Sequence, residues 1–364
     1  MTYAGTGVSY DTMDPFKRMA QEAARETARN IERLWLKDVA MSRGESVYLV
    51  ETPDSYMAHV EEGLGTKNLV ADAMYLLTNQ SFYDHVAQDT VAMIVNDMIT
   101  LGALPVSVAM HLAVGNSDWF NDEKRVRDLV SGWKRACDFA RCTWGGGETP
   151  TLKGVVVPDA VVLSGSAMGI VKPKDRLIRC DIQDGDIIVL IPSSGIHANG
   201  LTLARKIAEE KLSEGYVTKM RDGRRYGEAL LDPTLIYVGL VEDCIEAGVD
   251  IHYAVNITGH GWRKLMRANG NFSYNIDTLP PQLPIFDFIQ EHGPVSDKEA
   301  YGNLNMGAGF ALYVPDDDVA EVLDIAERLG MPAIEAGHIT STEKKQVNIL
   351  PKHLVFAGET LAVR

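Results

Sequence analysis

The side chains able to do chemistry gather in five short glycine-containing stretches. The first is Glu61-Glu62-Gly63-Leu64-Gly65-Thr66-Lys67, where two glycines let backbone N–H groups approach an anion and Lys67 adds a point charge. Its spacing is not that of a P-loop, and both a plain turn and an anion-binding loop suit it. The second runs from Asp89 to Asp97 and places Asn96 and Asp97 seven and eight residues after Asp89, on one side of a helix. Carboxylates beside an apolar run cost desolvation energy unless a metal or hydrogen bonds compensate. Oxygen ligands of this type suit Mg2+ carrying phosphates; a solvent-facing helix edge is the alternative. The third, Gly145-Gly146-Gly147-Glu148-Thr149-Pro150, reads as a bend with room for a ligand. The fourth, Ser193 to Gly200, lies between an apolar strand and a helix, a usual ligand position in α/β layers, with His197 and Asn199 placed to orient a substrate. The fifth, Thr258-Gly259-His260-Gly261, precedes a short helix.

These loops need elements to hold them. Asp14-Pro15 reads as a helix opening, followed by Phe16, Met19, Ala20, Ala23, Thr27, Ile31 and Leu34 at helical spacing. Helices are also expected over 84–101, 122–139, 199–211, 235–247 and 317–329. Strands are expected at 48–50, 106–114, within 155–171, and at 186–191, 310–314 and 334–339. The 186–191 run is apolar on both faces, as a central strand is. Alternating strands and helices in both halves predict two α/β or α+β units. The polar joint Lys172-Pro173-Lys174-Asp175 divides them, giving expected domains of 1–171 and 172–364.

Composition narrows the function. A chain of 364 residues, 46% of them hydrophobic, has material for two sizeable cores. A formal charge of -15 argues against a nucleic-acid partner, because phosphate backbones want basic surface. No stretch approaches about 18 uninterrupted apolar residues, so no membrane span is expected. The opening residues lack the basic-then-apolar pattern of a signal peptide. Cys137, Cys142, Cys180 and Cys244 form no C-x-x-C pair and read as scattered reduced thiols, so a cytoplasmic protein is expected.

The loops in order resemble the phosphoribosylformylglycinamidine cyclo-ligase (aminoimidazole ribonucleotide synthetase) family. Tyr3, Gly7-Val8 and Asp11 look like the family's opening. Glu62 to Lys67 looks like its Asp-Gly-Val-Gly-Thr-Lys motif, and Asp89 to Asp97 looks like its Asp-Leu-Val-Ala-Met-x-Val-Asn-Asp helix. Gly146 to Thr149, Pro192 to Gly200, Asp232-Pro233-Thr234, Ile236-Tyr237-Val238 and Asn305-Met306-Gly307-x-Gly309 look like further family segments. The resemblance implies a two-domain α+β fold, with an N-terminal mixed sheet forming a dimer barrel and a C-terminal α/β sandwich. It implies ATP-dependent closure of formylglycinamidine ribonucleotide to aminoimidazole ribonucleotide, with ATP and Mg2+ required and K+ as an optional further cation. The expected partners are a second copy of the chain and a small ribonucleotide substrate. The resemblance assigns Glu62, Asp89 and Asp97 to the metal and ATP phosphates, and Gly63, Gly65, Thr66, Lys67 and Asn96 to the nucleotide. It assigns Glu148, His197 and Asn199 to the second substrate or to proton transfer. Gly195, Gly200, Thr258, Gly259 and Gly261 would bind that substrate, the last three taking its phosphate.

The departures are local. The family's glycine-rich loop over the phosphates is replaced by Met41-Ser42-Arg43-Gly44-Glu45-Ser46, where Arg43 is the substitute clamp. Glu62 stands in place of Asp, and His260 in place of a glycine. A thiamine-monophosphate kinase-like phosphoryl transfer and a non-catalytic nucleotide-binding dimeric regulator are the alternative readings. The Gly195-to-Gly200 pattern favours the cyclo-ligase over the first, and the Asn96-Asp97 and His197-x-Asn199 pairs favour an enzyme over the second.

Overall fold

The computed structural model describes residues 4–7 and 10–361; Tyr3 and Val8 of the opening motif lie outside them. The first half carries α1 (Tyr10–Glu26), β1 (Lys37–Asp38), β2 (Tyr48–Glu51), β3 (Tyr56–Gly63), α2 (Lys67–Thr78), α3 (Tyr83–Met98), β4 (Leu104–Val114), α4 (Glu123–Phe139), β5 (Thr143–Glu148) and β6 (Val161–Val171). Its six strands lie in the order β1-β2-β3-β6-β4-β5, antiparallel except for the β4–β5 pair. The pleat sorts the residues. Ala58, Val60, Leu163 and Ala167 point into the core, while Met57, Val162 and Met168 point outward from an uncovered face. Most of α3 is buried, because sheet, neighbouring helices and the second half enclose it.

The second half carries β7 (Ile187–Pro192), α5 (Leu201–Glu210), α6 (Tyr226–Leu230), α7 (Val238–Ala247), β8 (Tyr253–Asn256), β9 (Phe272–Ile276), α8 (Pro284–His292), α9 (Asp297–Asn303), β10 (Ala308–Val314), α10 (Val319–Arg328), β11 (Ile334–Ser341), β12 (Gln346–Ile349) and β13 (Leu354–Ala357). Its strands lie in the order β13-β12-β9-β11-β7-β10-β8. Every residue of β10 is buried, which explains its unbroken apolar run. The architecture is α+β, with two mixed sheets each packed against its own helices.

Several elements differ from the sequence expectation. Helix α1 starts at Tyr10, encloses Pro15 and stops at Glu26, and a 3-10 turn over Ala28–Leu34 replaces its expected continuation. Its apolar stripe is not core: Phe16 is 67% exposed. Gly145 to Glu148 is a strand rather than a bend. A Cβ on Gly145 or Gly147 would strike the Ser107 hydroxyl or the Met110 carbonyl, so these glycines permit close strand approach. Helix α7 begins at Val238, not Leu235, because the preceding residues are bound to α3. All four cysteines are free thiols, and no described helix is long and apolar enough to cross a membrane.

Candidate active site

A cleft of 510 Å³ opens between α1, the end of β3, the second half of α3 and the loops and 3-10 turn that follow β8. Period-two pleating brings Glu62 to its wall at the last turn-out of β3, and helical spacing brings Met93 and Asp97 to the same wall. The opposite wall is Thr258, Gly259 and His260, followed by Lys264 and Arg267 from the 3-10 turn Gly261–Met266 and its end. Asn199 closes one side, and Phe16, Lys17 and Gln21 of α1 lie across the mouth.

Carboxylates stand on one wall and cations on the other. The Asp97 carboxylate accepts a hydrogen bond from Asn256 Nδ2 at 2.7 Å. Lys264 donates from Nζ to the Thr258 hydroxyl and to the Asn256 carbonyl. Arg267 donates to the Gly44 carbonyl and to Ser46 Oγ at 2.6 Å, and lies 3.8 Å from the Glu45 carboxylate. Burial, then repulsion from Asp97, pushes the Glu62 carboxyl up from 4.5 to about 7, although Lys264 and Arg267 oppose this. Burial pulls the Lys264 ammonium down, against the pull of Asp97 and Glu62. Burial, with the charges of Arg263 and Lys264, pushes His260 down to about 3, so its ring is neutral at physiological pH.

A raised carboxyl beside a second carboxylate is short of positive charge. Mg2+ is commonly held through one or two carboxylates plus substrate phosphates, and Glu62 with Asp97 fit that role. The expected three-carboxylate set is not assembled. Among the described residues no group of three or more His, Cys, Asp or Glu side chains is arranged to hold a metal. Asp89 is fully buried away from the cleft, with Lys67 Nζ at 2.9 and 2.8 Å from its two oxygens and Thr234 N–H donating at 2.8 Å. Lys67, equally buried, also donates to the Asp232 carbonyl, so neither residue lines the cleft. Asn96 is likewise engaged, donating to the Leu235 carbonyl and accepting from Tyr237 N–H.

The remaining expected residues divide. Gly63 ends β3, and Gly65 (φ +77°) turns the chain into α2, where Thr66 precedes Lys67. Arg43 does not reach into the main cleft: its guanidinium is held by Asp38 at 2.6 Å and lies over the Tyr48 ring, in an adjoining hollow of 440 Å³. Glu148 is exposed at the end of β5, off the cleft. Gly195 packs on Asp232, and Gly200 (φ +81°) opens α5 against Leu304. Gly261 packs inward on the carbonyls of Tyr301 and Leu304, while Thr258 and Gly259 line the cleft.

His197 sits in the left-handed region, buried behind its loop, with Nε2 accepting from Ser194 N–H at 3.1 Å. Burial, then the charge of Lys67, pushes it down to about 3, so the ring is a neutral acceptor that shapes the loop. Sequence reasoning missed Lys17, Gln21, Lys264 and Arg267 at the cleft, whereas Glu45 and Ser46 belong to the 41–46 stretch already placed near the phosphates. Of the missed residues only Lys264 and Arg267 left a signal, as cations shortly after the fifth glycine stretch; Lys17 and Gln21 are brought there by tertiary packing.

Comparison with known proteins places the chain in a family. The AIR synthase related protein N-terminal domain matches residues 45–171, and the AIR synthase related protein C-terminal domain matches residues 183–349. A phosphoribosylformylglycinamidine cyclo-ligase of Methanocaldococcus jannaschii is 36% identical over 80% of this chain and 81% of its own. The chain belongs to the phosphoribosylformylglycinamidine cyclo-ligase family. Another member, from Methanothermobacter thermautotrophicus, is 34% identical over 93% of this chain and 94% of its own. Among solved structures, a HypE–HypF complex superposes with a TM-score of 0.60 at 15% identity, covering 86% of this chain and 92% of that one. Thermotoga maritima PurL complexed with ADP gives 0.57 at 14% identity, over 88% of this chain and 46% of that one. At such identities these two speak for the fold alone. The family's opening carboxylate is here Glu62 and its middle glycine is here His260, so both departures fall on the walls of the cleft.

Proposed function

We propose that this chain catalyses ATP-dependent closure of formylglycinamidine ribonucleotide to aminoimidazole ribonucleotide, an imidazole-ring-closing step of purine biosynthesis that matches the cyclo-ligase name of its relatives. The carrying observation is one cleft that sets Glu62 and Asp97 against Lys264 and Arg267, in a chain with cyclo-ligase relatives over most of its length. In the reaction the formyl oxygen of the substrate attacks the γ-phosphorus of ATP, and the bond to ADP breaks. The amidine-side nitrogen then attacks the activated carbon, loses a proton, and the carbon–oxygen bond breaks to release phosphate. Positioned charge does most of the work in phosphoryl transfer.

Glu62 and Asp97 would hold Mg2+, which supplies neutralising charge to the nucleotide phosphates. Lys264 and Arg267 add positive charge at the opposite wall. The Asn199 amide, projecting into the cleft, orients the ribonucleotide, and Thr258 and Gly259 offer polar contacts to its phosphate. Neutral His197 keeps the Asn199 loop in shape rather than carrying a proton. Residues 1–171 serve nucleotide binding and self-association, and residues 172–364 serve the second substrate.

The outward apolar face of the first sheet, with Met57, Val162 and Met168, supports a homodimer in which two such faces close into a barrel. The test supplies ATP, Mg2+ and the formylglycinamidine ribonucleotide and follows ADP and cyclised product separately. Equal appearance of both is expected. ATP binding without product, at several protein concentrations and with K+ present, overturns the cyclo-ligase reading.

A further inference from the structure

The residues read as nucleotide ligands on α2 and α3 are spent elsewhere, and where they are spent is informative. The segment 231–237, which has no regular secondary structure, crosses α3, and backbone groups of Leu231, Asp232, Thr234, Leu235 and Tyr237 are bound to side chains of the first half. His85 Nδ1 lies 2.8 Å from the Leu231 carbonyl, and Lys67 donates to the Asp232 carbonyl at 2.7 Å. Gln88 donates to the Thr234 carbonyl at 2.9 Å. Asp89 accepts from both the backbone N–H and the hydroxyl of Thr234, at 2.8 and 2.5 Å. Asn96 takes the Leu235 carbonyl and the Tyr237 N–H, at 2.8 and 2.9 Å. Lys67, Asp89 and Thr234 are all buried, so these bonds are shielded from competing water.

The other side of the same segment holds the loop that carries Asn199. Ser194 Oγ donates to the Pro233 carbonyl at 2.6 Å, and Tyr237 Oη donates to the Pro192 carbonyl at 2.8 Å. Ser194 N–H in turn donates to His197 Nε2, and Asn199 Nδ2 reaches Met93 Sδ at 3.8 Å on α3 itself. Asp89, Met93, Asn96 and Asp97 recur at helical spacing, so one face of α3 meets the segment, Asn199 and Asn256 together. A rigid helix thus registers two pieces of the second half against the cleft carboxylate Asp97.

We infer that segment 231–237 is a registration strap that sets the position of Asn199 in the cleft from the first half of the chain, and that Lys67, Asp89, Thr234 and Ser194 are positioning residues acting through it. The inference rests on the proposed cyclo-ligase reading for its kinetic consequence, but not for its structural one. Asp89 therefore acts on catalysis without touching metal or nucleotide.

The test compares the full-length wild type with T234V, which deletes one bond to Asp89 at nearly constant shape, and with T234S, which keeps the hydroxyl. Amide hydrogen exchange should speed up at least tenfold across 193–200 in T234V, with little change in the first sheet. In T234V, kcat should fall at least fivefold while the Kd for Mg-ATP stays within twofold; T234S should restore both exchange and kcat to within twofold of wild type. S194A, which cuts the strap's other side, should speed exchange in the same loop and serves if T234V fails to fold. Unchanged exchange over 193–200 in the folded variants overturns the inference. A loss of Mg-ATP affinity equal to the loss of kcat also overturns it, because Asp89 would then act at the nucleotide. A wild type that shows no cyclisation refutes the proposed function instead, and the exchange comparison still decides the strap.

Discussion

Glu62→Gln separates folding from binding at the cleft. In the free protein Glu62 carries a carboxyl pushed from 4.5 to about 7 by burial and by Asp97. A group whose folded pKa is raised favours the folded state below its unfolded value and loses that advantage as pH rises through the folded value. The wild type therefore forfeits stability between about pH 4.5 and pH 7, and the glutamine variant, which stays neutral, does not. Each pH unit is worth about 1.4 kcal/mol, so the full effect approaches about 3 kcal/mol, and cleft water reduces it to about 2 kcal/mol. Thermal unfolding in EDTA should find the two proteins alike at pH 4, with E62Q more stable at pH 8 by a few degrees. Saturating Mg-ATP should reverse the order at pH 8, because the ligand stabilises the form that binds it and E62Q lacks half of the carboxylate pair. A wild type at least as stable as E62Q at pH 8 without ligand would refute the claim that this carboxyl is held short of positive charge. Equal stabilisation of both proteins by Mg-ATP would remove Glu62 from the nucleotide site.

Other consequences can be checked independently. D97A should weaken Mg-ATP binding by tenfold or more in calorimetry, while costing only about 1–2 kcal/mol of stability through the lost Asn256 bond. If two chains pair as proposed, M168K, at a residue 63% exposed on the outward face of β6, should turn the dimer seen in sedimentation into monomer without lowering the melting temperature of the monomer. Burial opposes protonation of His252, but its bond to Asp186 at 2.9 Å and the charge of Asp250 win and raise its pKa. The stability this supplies is complete below pH 6.5 and is lost as pH rises through the raised value, so H252Q should flatten the wild-type decline in melting temperature above pH 6.5.

Periodicity alone was enough for the long, amphipathic or doubly buried elements. Helices α4, α5 and α10 and strands β4, β7 and β10 lie close to where spacing places them, because burial on a fixed face writes a period into the sequence. The α+β class was legible in the same way, and the family resemblance added the order of the motifs; the part each glycine stretch plays was not, since Lys67 is spent on Asp89, Glu148 lies off the cleft and His197 is bound within its own loop. Which polar residues share a site was not. Asp89 and Asp97 sit on one side of one helix, yet two turns of displacement put the first under segment 231–237 and the second in the cleft. No local pattern distinguishes a carboxylate that will meet Lys67 and Thr234 from one that will face Glu62, since those partners are 22, 145 and 35 positions away in the chain. The same holds for Lys264 and Arg267, whose charge matters only because the second sheet carries them across to β3. Sequence determined which elements form and which side chains can react. Only the packing of one half against the other decided which reactive groups are spent on holding the cleft together and which are left to face a substrate.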